Sequence, residues 1–388
     1  MRIALISHTF DGDHGGSRSM KEYACALHRR GHVVCVFTAR AGLEADGINV
    51  REFPVDTLKS AAGLDSFSAR AAMAAREQEF DILHANMIME HCDICQPRGG
   101  TLARTLKQRR LLCDSSLSRL RQRLKGVTDR QRRSRLTRER SFFRNHRGMH
   151  FAAVSEFVAL QLREEYDVPE DHIHVVFNGV DIPDFDVKIK QSHRSAIREQ
   201  CGIAPDETVA VFAANHFREK GLGLVVDALA QLSRRGKPVH LIVVGPDSPQ
   251  RYQKGKTQSL LHFVGEQPAC WPYYHAADLC VLPTIYDACS RVILEALACG
   301  LPGITTCFNG AAEIIDHGKN GYILQHLDDP SELADGIELM VNGRAAHARA
   351  DLAMAQRGFI SIERHTDQML RLYESLGRRD QRSEVRGQ

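Results

Sequence analysis

The sequence predicts an α/β protein made of two doubly wound, Rossmann-like domains facing a cleft. Three observations carry that expectation. Short, nearly uninterrupted apolar runs alternate with amphipathic stretches, as in parallel strands covered on both faces. The alternation ends at the turn-rich link 178–183 (NGVDIP) and then starts again. The chain has 388 residues, 43% of them hydrophobic, which is enough for two cores of ordinary size.

In the first half, residues 2–7 form an apolar strand, 17–30 a helix closed by Gly31, and 33–37 a second strand. Runs at 80–84, 151–154 and 173–177 read as later strands. Between Gly100 and Asn145 the pattern turns basic and helical, as an insertion or helical arm would. There Leu111, Leu112, Leu117, Leu120 and Leu124 recur at roughly helical spacing beneath the arginines. The second half repeats the alternation, with strands at 209–213, 239–244, 261–264, 279–282, 303–306 and 322–324 and a helix at 222–235. Helices at 330–341, 345–355 and 362–376 then lead to a polar tail, 377–388, expected to be disordered. The implied domains are 1–180, carrying the arm 98–147, then 181–362, with 363–388 as a final helix and tail.

Charge is unevenly spread. Residues 98–147 hold 17 Lys and Arg against Asp114, Asp129 and Glu139, a local balance of +14 in a chain of net +3. Such a block is either a solvated helical face or a surface for anions. No apolar run approaches the ~18 residues of a membrane span, and the N-terminus lacks the apolar core of a signal peptide. The eleven cysteines are scattered. Only Cys92 and Cys95 have C-x-x-C spacing, with no second pair to complete a zinc site. Reduced structural thiols in a cytoplasmic protein are the expectation.

The most informative stretch is 279–324. A strand leads into a loop holding Asp287, then a helix carrying Glu295, then the turn Gly300-Leu301-Pro302. Amides at the start of that helix suit a phosphate, and an acid inside it can accept from paired sugar hydroxyls. The combination fits a nucleotide-sugar; the plain alternative is an ordinary βαβ unit with two solvated acids. Gly15 and Gly16 precede the first helix, where backbone can approach a ligand closely. This is not the G-x-G-x-x-G dinucleotide fingerprint. Arg218 and Lys220-Gly221 follow a strand and open a helix, where cations can meet a departing diphosphate. Asp11-Gly12-Asp13 imitates a D-x-D metal motif by chance, and no metal is expected.

Taken together, Asp287, Glu295, Gly300-Leu301-Pro302 and Asn309-Gly310-Ala311-Ala312-Glu313 resemble the donor-binding region of family 4 retaining glycosyltransferases of the GT-B fold. The chain departs from that pattern in having Asp for the first Glu and Ala288-Cys289-Ser290-Arg291 where Gly-Phe-Gly is usual. Within the family the first half is most similar to the lipopolysaccharide core α-glucosyltransferases. The resemblance implies transfer of a hexosyl unit from a nucleoside-diphosphate sugar, UDP-glucose foremost, to a glycan or glycolipid acceptor, with retention and without a metal or other cofactor. It implies catalytic roles for Lys220, Arg218, Asp287 and Asp93. Donor contacts would come from Gly15, Gly16, Val264, Gly265, Cys289, Ser290, Arg291, Val292 and Glu295, with Glu295 on the ribose and Asp287 on the sugar. His84 or His91 would bond a sugar hydroxyl. The arm, with His91, Arg98, Arg104, Arg109 and Arg110, would face the acceptor or an anionic membrane, placing the protein peripherally on the inner membrane face.

Two other classes compete. A GT-B-fold sugar-nucleotide epimerase or phosphorylase shares two such halves, but the spaced acids and the missing cofactor motif disfavour it. A nucleic-acid binder could use the basic arm. That stretch offers only Phe142 and Phe143 as stacking aromatics and no helix-turn-helix or zinc signature, so no nucleic-acid partner is expected.

Overall fold

The computed structural model describes residues 1–12, 15–42, 44–58, 60–89, 92–112, 129–145, 148–253, 257–342 and 357–386. The chain divides into two units, Met1–Asp181 with Ser361–Gln388, and Ile182–Ile360.

Unit 1 is a seven-stranded sheet in the order β3-β2-β1-β4-β5-β6-β7. Its strands are β1 (Arg2–Ser7), β2 (Val33–Thr38), β3 (Asn49–Glu52), β4 (Ile82–Ala85), β5 (Ile94–Cys95), β6 (His150–Ala153) and β7 (Ile173–Val175). All pair in parallel. The continuous burial of Ile3–Ile6 explains why β1 reads as an unbroken apolar run. The helices are α1 (Gly15–Arg29), α2 (Ala61–Arg76), α3 (Leu102–Gln108), α4 (Arg130–Arg144) and α5 (Glu156–Tyr166). The polar segments that hold β3 and the two-residue β5 carry too little apolar pattern to be seen in the sequence.

Unit 2 is a six-stranded parallel sheet in the order β10-β9-β8-β11-β12-β13. The strands are β8 (Val209–Ala213), β9 (His240–Val244), β10 (Leu261–Gly265), β11 (Leu279–Leu282), β12 (Gly303–Thr306) and β13 (Gly321–Leu324). Its helices are α6 (Val187–Cys201), α7 (Leu222–Arg234), α8 (Trp271–Ala276), α9 (Arg291–Ala298) and α10 (Pro330–Val341). Helix α9 buries Ile293, Leu294 and Leu297, each a side chain whose full burial is worth about 1.5–3 kcal/mol.

The last helix, α11 (Ile362–Arg386), corrects one expectation. The disordered tail 377–388 was to begin after Leu376, but the helix runs on to Arg386. Gly377 costs a helix only about 1 kcal/mol, and the Arg, Glu and Gln that follow are good helix formers, so polarity alone did not end it. At its start α11 belongs to unit 1, with Met369, Leu372 and Tyr373 in the same core as Tyr23 and Leu27. The expected helix at 345–355 lies outside the described residues. Among the described residues no helix is long and apolar enough to cross a membrane.

Candidate active site

In each sheet the winding reverses between two neighbouring strands, β1 and β4 in unit 1 and β8 and β11 in unit 2. Ligands of open α/β sheets bind beyond the carboxyl ends of the strands at such points.

In unit 2, Lys220 follows β8 and Asp287 follows β11. Gly221 has φ +84, and a Cβ there would lie 2.2 Å from the Pro283 carbonyl oxygen, so the two loops meet backbone to backbone. The Ile285 amide donates to the Glu219 carbonyl at 3.1 Å and fixes that contact. It brings Lys220 Nζ to 2.6 Å from Asp287 Oδ2, with both side chains mostly but not wholly buried. The sequence could place each residue at a strand end but not set them in contact. Arg218, two residues earlier, is exposed and lies within electrostatic reach of Tyr252.

The loop after β11 is held from below by Asn309, which is 1% exposed. Its Oδ1 accepts from the amides of Ser290 and Ala311, both at 3.1 Å, and its Nδ2 donates to Thr305 Oγ1 at 2.9 Å. The Ser290 amide, expected for phosphate, is thus already engaged. Ser290 gives α9 no side-chain cap, so the first turn keeps its N-terminal field without a serine oxygen to answer it. Cys289 is buried and Val292 half-buried.

Within α9, both oxygens of Glu295 are occupied. Tyr274 of α8 donates its hydroxyl to Oε2 at 2.9 Å, and Arg291 donates Nη2 to Oε1 at 3.1 Å. Val264 and Gly265 end β10 at the sheet edge. The Val264 carbonyl accepts from Gln267 and that of Gly265 from the Gly245 amide.

In unit 1, Gly15 and Gly16 open α1 and are exposed. A Cβ at Gly16 would meet open space, so packing within the unit does not demand glycine there. Ser17 Oγ accepts from the amides of Asp11 and Gly12, and Arg40 Nε donates to the Asp11 carboxylate at 2.7 Å. Asp13, His14 and His91 lie outside the described residues. Asp93 is exposed and accepts from the Leu83 amide at 2.6 Å.

His84 is wholly buried rather than open to a ligand. Its Nδ1 lies 2.6 Å from the Tyr373 hydroxyl, which lies 2.7 Å from that of Tyr23. Burial, with Arg98 nearby, pushes His84 down to about 3. His365 Nδ1 donates to the Phe177 carbonyl, leaving Nε2 to accept from Arg98. Arg98 also donates to Gln96 Oε1 at 2.7 Å and to Ser19. The first cation of the arm thus helps fasten α11 to α1 and to the segment that follows β5. Arg104 pairs with Glu165 at 2.9 Å, Arg109 is half-buried and Arg110 is exposed.

The rest of the arm has two faces. On one face of α4, Phe142 and Phe143 are buried, and Glu139 accepts from the Leu102 and Ala103 amides and the Tyr166 hydroxyl. Burial still raises the Glu139 carboxyl. Exposed Arg130, Arg133, Arg140 and Arg144 form a stripe on the other side. Leu117, Leu120 and Leu124 lie outside the described residues. A groove of about 1030 Å³ runs between α2 and α4, lined by Met73, Ile88, Phe142, Asp65 and Arg138 among others. It stands apart from the Gly-Gly loop and the His84 cluster.

Tyr274, Asn309 and Tyr373 were missed as site-building residues. Asn309 sat inside a recognised motif. The two tyrosines had no local signal, because their partners lie 21 and 289–350 residues away.

Two parallel-sheet α/β units of this winding define the GT-B class of glycosyltransferase folds. Two family models match parts of the chain: residues 14–183 match "Glycosyltransferase Family 4", and residues 207–342 match "Glycosyl transferases group 1". Among solved structures, the chain is similar to WaaG, a glycosyltransferase involved in lipopolysaccharide biosynthesis, at TM-score 0.77 and 21% identity over 95% of this chain and 98% of that one. It is also similar to Anabaena HepE in complex with UDP-glucose, at TM-score 0.70 and 20% identity over 97% and 100%. These two likenesses concern the fold. Among curated proteins it is 29% identical to a D-inositol 3-phosphate glycosyltransferase of Xylanimonas cellulosilytica over 53% of this chain and 54% of that one. A Corynebacterium jeikeium protein of the same name is 26% identical over 97% of both. The chain spans about half the length of the curated relatives it matches first.

Proposed function

We propose that this protein is a retaining glycosyltransferase that moves a hexosyl unit from a nucleoside-diphosphate sugar, UDP-glucose foremost, to a glycan or glycolipid acceptor such as a lipopolysaccharide core. The observation that carries this reading is the Lys220–Asp287 pair at the β8/β11 switch point, beside an α9 that lacks a side-chain cap. As the donor bond breaks, negative charge grows on the diphosphate. Lys220 and the α9 N-terminus supply fixed positive potential at that place. Once Lys220 turns to phosphate, the Asp287 carboxylate is available to a sugar hydroxyl. Glu295 accepts from the ribose diol.

The chain offers no assured nucleophile. The acceptor hydroxyl therefore attacks the face that the diphosphate leaves, and a diphosphate oxygen takes its proton. With Lys220 neutralising the leaving group, the reaction needs no metal. Arg218, exposed two residues before Lys220, adds a second cation for the diphosphate. Gly15 and Gly16 allow close approach of the donor, and Asp93 orients sugar or acceptor. The Arg130–Arg144 stripe holds the protein on an anionic lipid surface at the inner membrane face. Likeness to HepE, solved with UDP-glucose, supports the donor class, likeness to WaaG supports the lipopolysaccharide acceptor, and the arginine stripe supports the lipid partner.

The test is transfer from UDP-glucose, ADP-glucose and GDP-mannose to a core oligosaccharide, with the product anomer read by NMR and EDTA present in parallel. An α-linked product from an α-donor at undiminished rate in EDTA is expected. Turnover by none of the three donors would overturn the reading, and free epimerised donor would replace it. Flotation with anionic vesicles, against RNA retention, tests the stripe.

A further inference from the structure

We propose that Arg291 changes partner during donor binding, leaving Glu295 when a ribose diol arrives and pairing with the diphosphate. The proposal rests on the donor-site reading above and adds a coupling between its two halves.

The Glu295 carboxylate sits between two unlike donors. Tyr274, on the inner side, is 0% exposed and packed against Trp271 at 5.9 Å between ring centroids. Burial beside the Glu295 charge holds its phenol well above the ordinary range, so it stays a donor and cannot withdraw into water. Arg291 stands on the other side. It is the first residue of α9, one turn before Glu295, and its side chain is 13% exposed. Its contact with Glu295 runs through one nitrogen at 3.1 Å rather than through the two-pronged geometry a guanidinium prefers.

An ionised carboxylate has about four lone-pair positions, and Tyr274 fixes one of them on the interior. A diol entering from solvent comes to the side that Arg291 covers, so Arg291 is the donor that yields. It yields toward the α9 N-terminus, where a diphosphate offers several oxygens to both prongs of the guanidinium. Ribose and diphosphate recognition are then linked through one side chain. Until the diol arrives, the Glu295 charge restrains the cation. Afterwards the cation adds to Lys220 on the leaving group.

The full chain and its Arg291→Gln, Arg291→Lys and Tyr274→Phe variants would be titrated with UDP by calorimetry and with uridine by NMR. ADP and GDP, with their nucleosides, serve if UDP does not bind. In Arg291→Gln, UDP affinity should fall about tenfold while uridine affinity holds or improves, because the carboxylate is uncovered. Arg291→Lys, which keeps the charge but loses the fork, should fall between Gln and wild type for UDP. Tyr274→Phe should weaken uridine and UDP alike. Equal weakening of both ligands in Arg291→Gln would make Arg291 a brace for Glu295 and overturn the exchange; so would no weakening of either. Failure of the wild-type protein to bind any nucleoside diphosphate would instead sink the donor-site reading on which the exchange stands.

Discussion

The switch points of the two units share one geometry and were assembled in opposite ways. In unit 2 the groups that meet come from adjacent loops, Lys220 after β8 and Asp287 after β11, and both oxygens of Glu295 are bound by donors within 21 residues. In unit 1 the side chains around β4 are joined by α11, with Tyr373 reaching Tyr23 and His84 across 350 and 289 residues. The first arrangement leaves charged groups at the surface of the fold, and the second buries neutral ones. Charges that remain partly exposed can exchange partners with a ligand. A neutral hydrogen-bond chain sealed from water holds shape instead.

The sharpest way to break this contrast is Lys220→Ala. If the pair in unit 2 serves the diphosphate, transfer should fall about a hundredfold, the usual loss of one preorganised donor at a developing charge. That corresponds to ~2.7 kcal/mol of barrier. Stability should fall by much less than turnover, since the pair keeps a fifth to a quarter of each side chain open to water and so lies closer to a surface ion pair, about 0–1 kcal/mol, than to a sealed one. Asp287→Asn should lose transfer as well and leave the melting temperature alike. A large fall in melting temperature with little loss of turnover would make the pair structural and erase the distinction between the units.

Acid should act the other way, on unit 1. His84 is neutral in the folded protein down to about 3, whereas in the unfolded chain it takes a proton near the ordinary histidine value of 6.5. Below that value the unfolded state binds more protons than the folded one, so stability declines as pH falls. The loss continues until the folded pKa is reached, at up to ~1.4 kcal/mol per pH unit. Between pH 7 and pH 5, His84 alone should remove about 2 kcal/mol. His365, held well below its ordinary value by burial and Arg98, shifts in the same direction. Denaturant titrations across this range, with His84→Gln as the comparison, measure it. A flat profile would show that the cluster admits water or shares its proton.

The same contrast explains what could be read from the sequence. Apolar runs buried on both faces, such as those of β1, β8 and β11, gave the sheets and their parallel winding. The spaced acids Asp287 and Glu295 and the Lys220-Gly221 turn were legible because the groups lie within one loop or helix turn. Asn309 was visible as a motif member, but its role as a staple under Ser290 was not, because the amide it binds lies in another loop. Tyr274 carried no signal at all, because the carboxylate that its hydroxyl meets lies 21 residues on in another helix. Arg98 was counted with the cations of the arm, yet it belongs to the α11 network. Charge counting cannot separate a guanidinium that faces water from one that faces a histidine and a glutamine.

Tyr373→Phe sharpens the comparison with the smallest effect. The variant keeps the ring, its packing and its edge-on contact with His84 at 6.0 Å between centroids. It removes only the hydroxyl that joins His84 Nδ1 to Tyr23. Two buried polar atoms then lose a partner, a cost of about 1–3 kcal/mol. The loss should show as a lower urea midpoint with an unchanged slope, because the surface exposed on unfolding is the same. Transfer by the fraction that remains folded should stay within about threefold of wild type. If turnover instead dropped as far as in Lys220→Ala while the urea midpoint held, the buried chain of unit 1 would be acting on substrate, and the division between a charged site and a neutral clasp would fail.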